Sequence, residues 1–267
     1  MNKISIIIVS YNVRTYLSNS IDSILKSSIE NFELIIVDNN SFDGTAEYIS
    51  NNHPSIKLIA NNFNVGFGKA VNQGAKIANS EHLLILNPDT IIEEDTLEKL
   101  INYIETNDKI GMVGPKILNA DGSLQLSCKR SFPTIKSAIP KILGLDKLFP
   151  NSKWFGRYNL TFLDPDKNHV VDAISGSCML IRNNVFKKIG GFDERFFMFG
   201  EDIDICLRTW KANFEVHYFP ETKIIHYKGE SVKTAPYNSR EAFYEAMDIY
   251  VDKHLSLIHI SEPTRPY

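Results

Sequence analysis

Polar and acidic side chains follow four successive segments that have the composition of buried strands. They are Ser10-Tyr11-Asn12, Asp38-Asn39-Asn40-Ser41, the stretch from Asn61 to Gly68, and Asn87-Pro88-Asp89-Thr90. Ligands of an open parallel sheet bind outside the carboxyl ends of its strands, so we expect these groups to share one edge. Their joint position, more than any single member, predicts a site for a polar ligand.

Each of these residues also has a purely structural interpretation. Asp43, which precedes Gly44-Thr45, is better explained as a helix cap than as a ligand contact. The run from Asn87 to Thr90 could be a plain turn, because Asn, Pro and Asp are favoured turn residues. Asp38 alone could cap or brace a neighbouring loop.

A second pair of carboxylates, Glu201-Asp202, stands at the start of a predicted helix. A carboxylate close to a hydroxyl can act as a general base. The first turn of a helix favours acidic residues in any case, so the pair taken alone is better explained as a cap. Asp204 and Arg208 are four residues apart, and we expect them to form a surface ion pair.

The elements that must position these groups alternate regularly through the first part of the chain. Predicted strands span 4–9, 32–37, 56–60 and 82–86, and predicted helices span 17–25, 45–50, 66–78 and 97–104. Strands and helices in this order form right-handed crossovers. The sequence therefore predicts an α/β fold with a mostly parallel, doubly wound sheet.

The alternation stops after Val113 and the second part is less regular. Asn119-Ala-Asp-Gly122 predicts a hairpin turn between 116–118 and 124–127, and 128–170 has no steady period. That stretch could face an acceptor or a membrane surface, or be a loop packed on the core by its aromatic residues. Further strands are predicted at 173–181, 215–219 and 223–226, and helices at 184–189, 202–213 and 240–254. We expect this part to be the smaller, antiparallel or irregular portion of a single domain over 1–254.

Composition excludes several classes of protein. The 267 residues carry a net charge of -3 and include 43% hydrophobic residues, which is typical of a globular protein without a basic surface for nucleic acid. Cys128, Cys178 and Cys206 are far apart and lack metal-site spacing, so they are predicted to be buried and reduced. Gly-x-Gly-x-x-Gly after the first strand and a phosphate-loop motif are both missing, which disfavours a dehydrogenase or a kinase.

The ends of the chain show neither a signal peptide nor an apolar run of the roughly 20 residues that a membrane span needs. Residues 255–265, LSLIHISEPTR, resemble a translated adapter from sequencing-library preparation. We therefore expect 255–267 to be a non-native tail, and a native C-terminal helix or anchor to be missing.

The ordered set of motifs resembles the large inverting glycosyltransferase family two, and most closely its rhamnosyltransferase-type branch. The resemblance spans about Lys3 to His254. It rests on IIIVSYN (6–12), IVDNNS (36–41), NVGFG (64–68), LNPDT (86–90), GFDE (191–194), GEDID (200–204) and HYKGES (226–231). It implies the nucleotide-diphospho-sugar transferase (GT-A) fold, with 1–115 as the nucleotide-sugar-binding half and 116–254 as the acceptor and catalytic half.

The resemblance also implies roles for individual residues. Tyr11 and Asp38 would hold the base and ribose of the donor, in a pocket also lined by Ser10, Asn12, Asn40, Asn64, Gly66 and Asn87. Asp89 would bind a divalent cation, Mg²⁺ or Mn²⁺, although Asn87 replaces the first carboxylate of the family's Asp-x-Asp motif. His226 would be a further metal ligand, or equally a histidine satisfied by backbone bonds. With the resemblance, Asp202 becomes the expected catalytic base and Glu201 the second candidate.

The reaction implied is single-displacement, inverting transfer of a sugar from a dTDP- or UDP-linked donor to a glycan or lipid-linked acceptor. It would take place in the cytoplasm, with possible peripheral contact to the membrane. A nucleotide-sugar-binding module without turnover is one alternative, which Asn87 favours. A sugar-nucleotide pyrophosphorylase is another, but Ser10-Tyr-Asn-Val-Arg14 poorly matches the glycine-rich, basic loop it requires.

Overall fold

The computed structural model describes residues 2–134, 137, 140, 143–227, 229 and 238–255. The strands are β1 (Asn2–Ser10), β2 (Phe32–Asp38), β3 (Lys57–Ala60), β4 (Ser80–Leu86), β5 (Thr90–Ile92), β6 (Ile110–Leu118), β7 (Lys129–Arg130), β8 (His169–Val170), β9 (Ala173–Ile174), β10 (Cys178–Arg182) and β11 (Glu215–His226). The helices are α1 (Arg14–Leu25), α2 (Thr45–Asn52), α3 (Phe67–Ile77), α4 (Thr96–Glu105), α5 (Leu145–Leu148), α6 (Asn183–Lys188), α7 (Glu201–Lys211) and α8 (Ser239–His254).

The main sheet of the described residues has nine strands, and its order is β3-β2-β1-β4-β10-β6-β11-β5, with β8 also paired to β11. Strands β3, β2, β1 and β4 are parallel. The predicted α/β fold with a doubly wound, parallel nucleotide-side sheet is confirmed. Ile6, Ile7 and Ile8 are fully buried, as expected for a β-branched strand covered on both faces.

Helices α3 and α4 cover this sheet with the apolar faces that their spacing predicts. Leu97, Leu100, Ile101 and Ile104 are buried along α4. A glycine in α3 allows a close approach to β1, because a Cβ at Gly74 would lie 2.7 Å from Ile7 Cγ2. Side-chain burial by α3 thereby holds β1, whose carboxyl end carries part of the predicted site, and α4 packs against β6 and β11.

The second half departs from the sequence prediction in three places. The strand predicted at 173–181 is two strands, β9 and β10, separated by Ser175-Gly176-Ser177, and β10 is antiparallel to both β4 and β6. Leu124 makes one bridge to Leu118 and is followed by a short 3₁₀ helix, Leu126–Cys128, in place of a strand. The two strands predicted at 215–219 and 223–226 are one strand, β11, with a register shift between Phe219 and Lys223.

The three cysteines are free and buried, as predicted. Among the helices that the described residues form, none has the length and apolar character needed to cross a membrane. Residues 256–267 of the predicted tail lie outside the described residues.

Candidate active site

The loops after β1 and β2 form the first part of the site. Ser10 and Asp38 are neighbours in the parallel register, and both are buried. Both carboxylate oxygens of Asp38 accept hydrogen bonds from Ser41, from its hydroxyl at 2.5 Å and its N–H at 3.0 Å. The Ser41 hydroxyl oxygen also accepts the Asn12 N–H at 2.9 Å. Asp38 therefore braces the loop, which was one of the two interpretations the sequence left open.

Two asparagines in these loops adopt the left-handed conformation that Asn tolerates better than most residues. Asn12 has φ +54° and Asn40 has φ +69°. The Asn12 side chain accepts the Phe42 N–H at 2.7 Å and so ties the two loops together. Tyr11, between Ser10 and Asn12, is half-buried. The predicted donor residues of β1 and β2 thus lie together at the carboxyl edge of the sheet.

The loop before α3 adds Asn64 and Gly66 to this edge. Asn64 Oδ1 accepts the Gly66 N–H at 2.9 Å, and Asn39 Nδ2 donates to the Gly66 carbonyl at 3.3 Å. Gly66 has φ +86°, and a Cβ there would lie 2.8 Å from the carbonyl oxygen of Phe197. Only glycine fits this position without strain. The loop before α3 is therefore packed against Phe197, which precedes α7.

Asp89 and His226 meet at the same edge. Strand β5 pairs with the end of β11, and Thr90 lies opposite His226. This pairing brings His226 Nε2 to 3.2 Å from Asp89 Oδ1, and both residues are buried. Asn87 Nδ2 lies 3.3 Å from the same His226 nitrogen. The structure thus brings all three of these residues together.

Hydrogen bonds on the far side of His226 determine which of its nitrogens carries the proton. Gln125 Nε2 donates to Asn119 Oδ1 at 3.0 Å, which orients Gln125 Oε1 toward His226 Nδ1, also at 3.0 Å. Because Oε1 accepts, Nδ1 carries a hydrogen, and Nε2 is the nitrogen that faces Asp89. The facing oxygen, Asp89 Oδ1, is buried and has no hydrogen-bond partner.

Asp89 Oδ1 and His226 Nε2 face each other at 3.2 Å in a buried place, which is unfavourable unless a proton or a cation lies between them. A carboxylate oxygen and an imidazole nitrogen are both ligands for Mn²⁺ and related divalent ions, and an amide oxygen can join them. The Nδ1–H···Oε1 bond of His226 to Gln125 is the kind of outer contact that orients a metal-binding histidine. The donor set therefore fits a divalent cation.

Asp202 lies in the first turn of α7, whose N-cap residue is Gly200. Its Oδ1 accepts the Ile203 N–H at 2.8 Å, and its Oδ2 accepts the Gly176 N–H at 3.2 Å and forms an ion pair with Arg130. Burial alone would lower the pKa of Arg130, but the charge of Asp202 raises it above its ordinary value. The Asp202 carboxylate is therefore held in place from three directions.

Glu201 is buried beside Asp202, and its Oε2 has no hydrogen-bond partner. Burial first, and then the neighbouring charge of Asp202, raise the pKa of Glu201 to about 8. Glu201 is thus protonated at neutral pH, because two adjacent buried carboxylates resist ionising together. In this state it can donate a hydrogen bond but cannot serve as a base.

A three-residue segment, Ser175-Gly176-Ser177, connects Asn87, beside the candidate metal ligands, to Asp202. The Asn87 N–H donates to the Ser177 carbonyl at 2.9 Å, and the Gly176 N–H donates to Asp202. Asn87 and Asp202 are therefore separated only by the backbone of this segment. The groups from both halves of the chain lie at one edge of the sheet.

Asp204 is not part of a surface ion pair, so that prediction was wrong. The residue is fully buried and makes ion pairs with Arg208 at 2.8 Å, Lys253 at 2.6 Å and His254 at 2.7 Å. Burial alone would raise the pKa of Asp204, but His254, Arg208 and Lys253 lower it below its ordinary value. The sequence shows the contact with Arg208, and α8 supplies the other two partners, Lys253 and His254.

Three contributors were missed at the sequence level. Arg130 and Gly176 lie far from Asp202 in sequence, and no spacing pattern connects them. Gln125 follows the predicted hairpin turn, but only the fold shows that it contacts His226. Of the motif at 226–231, positions 228, 230 and 231 lie outside the described residues.

Two other features lie away from these groups. A cavity of about 400 Å³ lies between α1 and β5, lined by residues such as Asn19 and Asp22, and none of the predicted site residues lines it. Glu81, His82 and Glu105 form a group that could hold a metal ion. This group is at the amino end of β4, opposite the edge that carries Asp89.

Comparisons with known proteins agree with this arrangement. The family model described as "Glycosyl transferase family 2" matches residues 5–190, and one described as "N-terminal domain of galactosyltransferase" matches 158–230. An N-acetylglucosaminyl-diphospho-decaprenol L-rhamnosyltransferase of Mycobacterium tuberculosis is 28% identical over 261 residues, which cover 93% of this chain and 84% of the relative. The rhamnosyltransferase WbbL of Escherichia coli is 29% identical over 231 residues, covering 83% and 82%.

A solved structure of GalNAc-T7 with UDP, GalNAc and Mn²⁺ is similar to this chain with a TM-score of 0.62 and 17% identity. The match covers 85% of this chain and 44% of that one. At this identity the similarity supports the fold alone. The fold is that of a GT-A glycosyltransferase.

Proposed function

The chain belongs to glycosyl transferase family 2 and is a glycosyltransferase, and on that premise we propose the reaction and the roles of its residues. The proposed reaction is inverting transfer of a sugar, with rhamnose as the first candidate, from a UDP- or dTDP-linked donor. The acceptor is a hydroxyl of a lipid-linked glycan. The two rhamnosyltransferase relatives support the choice of sugar, and the decaprenol-linked acceptor in the name of one supports the acceptor class.

The observation that carries the proposal is the close approach of His226 Nε2 to Asp89 Oδ1, a buried oxygen without a hydrogen-bond partner, at the carboxyl edge. These two residues, with Asn87 beside them, would hold a divalent cation. Such an ion stabilises the negative charge that develops on the leaving diphosphate. The loops that carry Ser10, Tyr11, Asn12, Asp38, Asn40, Asn64 and Gly66 would hold the nucleoside on the neighbouring strands.

Asp202 is the proposed base that takes the proton of the acceptor hydroxyl. Its contacts with the Ile203 and Gly176 N–H groups fix the orientation of the carboxylate. The ion pair with Arg130 occupies Oδ2, so binding of donor and acceptor must weaken that contact to free this oxygen for the proton. Glu201, neutral beside it, would donate a hydrogen bond and prevent a second negative charge at this place.

We also propose that the protein works in the cytoplasm. Its three cysteines are free and buried, which is typical of proteins in a reducing compartment.

The test measures release of nucleoside diphosphate from a panel of UDP- and dTDP-sugars, with Mn²⁺, with Mg²⁺ and with a chelator. Asp89→Asn should remove the cation-dependent part of donor binding and slow release by about 100-fold or more. Asp202→Asn should leave donor affinity within about threefold and slow transfer by about 100-fold or more. Asp121→Asn, at an exposed turn, is the control and should keep full activity.

The outcomes separate the proposal from its alternatives. Unchanged release in both Asp89→Asn and Asp202→Asn would remove the proposed chemistry. Donor binding by the wild type without release in the presence of any acceptor would support a binding module. Formation of nucleotide sugar from sugar phosphate and nucleoside triphosphate would support a pyrophosphorylase.

A further inference from the structure

Large apolar side chains are exposed together in one short part of the second half. Leu143, Leu148, Phe149 and Trp154 have 65%, 70%, 53% and 77% of their surface exposed, and we call these four residues the apolar patch. Single exposed apolar residues are common on proteins, but several in one loop mark a surface that contacts something. Tryptophan and phenylalanine are also the side chains that favour the boundary between water and lipid.

Hydrogen bonds give this loop a defined shape. After α5, the Ser152 N–H donates to the Phe149 carbonyl at 3.1 Å, and the Gly156 N–H donates to the Ser152 carbonyl at 2.8 Å. The Trp154 N–H donates to the Ser152 hydroxyl at 3.2 Å. These turns place Phe149 and Trp154 on one compact loop. The patch is thus presented by a formed surface and does not fold back into the core.

The exposed charges within residues 143–157 have one sign. Lys147 and Lys153 are exposed and Arg157 is half-buried. Asp146 is the acidic residue between 143 and 157, and it is buried. The surface is therefore basic, although the whole chain has a net charge of -3. Apolar side chains flanked by lysines are complementary to a bilayer that contains anionic lipids.

The chain directly after this segment is attached to β7, the strand that contacts the proposed base. The Ser131 N–H donates to the Tyr158 carbonyl at 2.8 Å, and Lys129 Nζ donates to the Leu160 carbonyl at 3.1 Å. Arg130, between these two residues, makes the ion pair with Asp202. The patch therefore belongs to the acceptor side of the proposed active site.

We propose that residues 143–157 dock on the surface of an anionic lipid bilayer. Leu148, Phe149 and Trp154 enter at the level of the headgroups, and Lys147 and Lys153 face the lipid phosphates. The proposal rests on the proposed function in one respect, since docking on this side would place a lipid-linked acceptor near Asp202. Binding to lipid itself does not depend on sugar transfer and is measured separately.

The experiment uses the full chain and sedimentation with vesicles of phosphatidylcholine, with or without about a third phosphatidylglycerol. The wild type should bind the anionic vesicles and bind less as salt is added. Leu148→Ser/Trp154→Ser should weaken this binding at least about tenfold. Lys147→Glu/Lys153→Glu should weaken it to a similar or larger extent, and only on anionic vesicles.

A matched control removes exposed apolar side chains elsewhere. Leu25→Ser/Phe63→Ser changes residues that are 54% and 65% exposed and should bind vesicles like the wild type. Equal loss in this control, equal binding to neutral vesicles, or no binding by the wild type would overturn the proposal. The lysine variants keep the test decisive if the apolar variant is unstable, because both lysines are exposed.

Activity separates this proposal from the proposed function. The patch variants should hydrolyse the donor in solution like the wild type, and should lose transfer only to acceptors embedded in vesicles. Vesicle binding without any donor turnover would contradict the proposed function alone. Donor turnover without vesicle binding would contradict the docking surface alone.

Discussion

Glu201→Gln tests the buried carboxylate beside the proposed base. Burial and the charge of Asp202 raise the pKa of Glu201 from an ordinary value of 4.5 to about 8. The folded protein therefore retains a proton on Glu201 that the unfolded chain releases. The contribution of this group to the free energy of unfolding is fully present below pH 4.5. It is lost as the pH rises from 4.5 through the pKa of about 8 in the folded state. Glutamine has nearly the same shape and does not titrate, so Glu201→Gln should remove this pH dependence.

The size of the effect follows from the uptake of one proton. Between the two pKa values, 4.5 and about 8, each unit of rising pH lowers the free energy of unfolding by about 1.4 kcal/mol. Between pH 5 and pH 7 the wild type should therefore lose about 3 kcal/mol relative to Glu201→Gln. That difference is a large fraction of the stability of a typical domain, roughly 5 to 15 kcal/mol.

The assay is urea unfolding of both proteins at pH 5, 6, 7 and 8. Glu47→Gln, an exposed carboxylate in the first turn of α2, is the matched control and should keep the wild-type pH dependence. Parallel pH profiles for the wild type and Glu201→Gln would refute the conclusion that Glu201 is protonated in the folded protein.

Two further predictions concern the folding stability at single positions. Asp204→Asn should lower the free energy of unfolding by about 3 to 5 kcal/mol, because it removes the fully buried charge that pairs with Arg208 and Lys253; Asp252→Asn, exposed on α8, should change it by less than about 0.5 kcal/mol in the same urea titration. Gly66→Ala should cost about 1 to 3 kcal/mol through its φ of +86° and its contact with the Phe197 carbonyl. Gly122→Ala has a similar φ of +80° but open space, so equal costs would show that the contact with Phe197 is unimportant.

Local patterns in the first half were sufficient to predict most of its elements, although they missed the short strand β5 and most of β6. Ile4 to Val9 is β-branched almost throughout, and Leu97, Leu100, Ile101 and Ile104 recur with helical spacing, so both elements could be identified from neighbours in the chain. Strand ends also indicated where Asp38 and Asp89 would lie, because parallel strands share a carboxyl edge.

The second half depended on contacts that no local pattern encodes. Ser175-Gly176-Ser177 interrupts an apolar run and divides one predicted strand into two. Arg130 reaches Asp202 across 72 positions, and Asp204 is buried only because α8 supplies Lys253 and His254. Such long-range pairs follow from the packing of elements, so their positions could not be predicted from spacing.

The short backbone segment Ser175-Gly176-Ser177 has a consequence for how the enzyme moves. The Ser177 carbonyl accepts a hydrogen bond from the Asn87 N–H, and the Gly176 N–H donates one to Asp202. The segment therefore acts as a spacer of fixed length. A spacer anchored at both ends does not behave as a hinge. We therefore expect the donor-side and acceptor-side groups to keep their separation throughout turnover, and substrate entry to depend on the outlying loops.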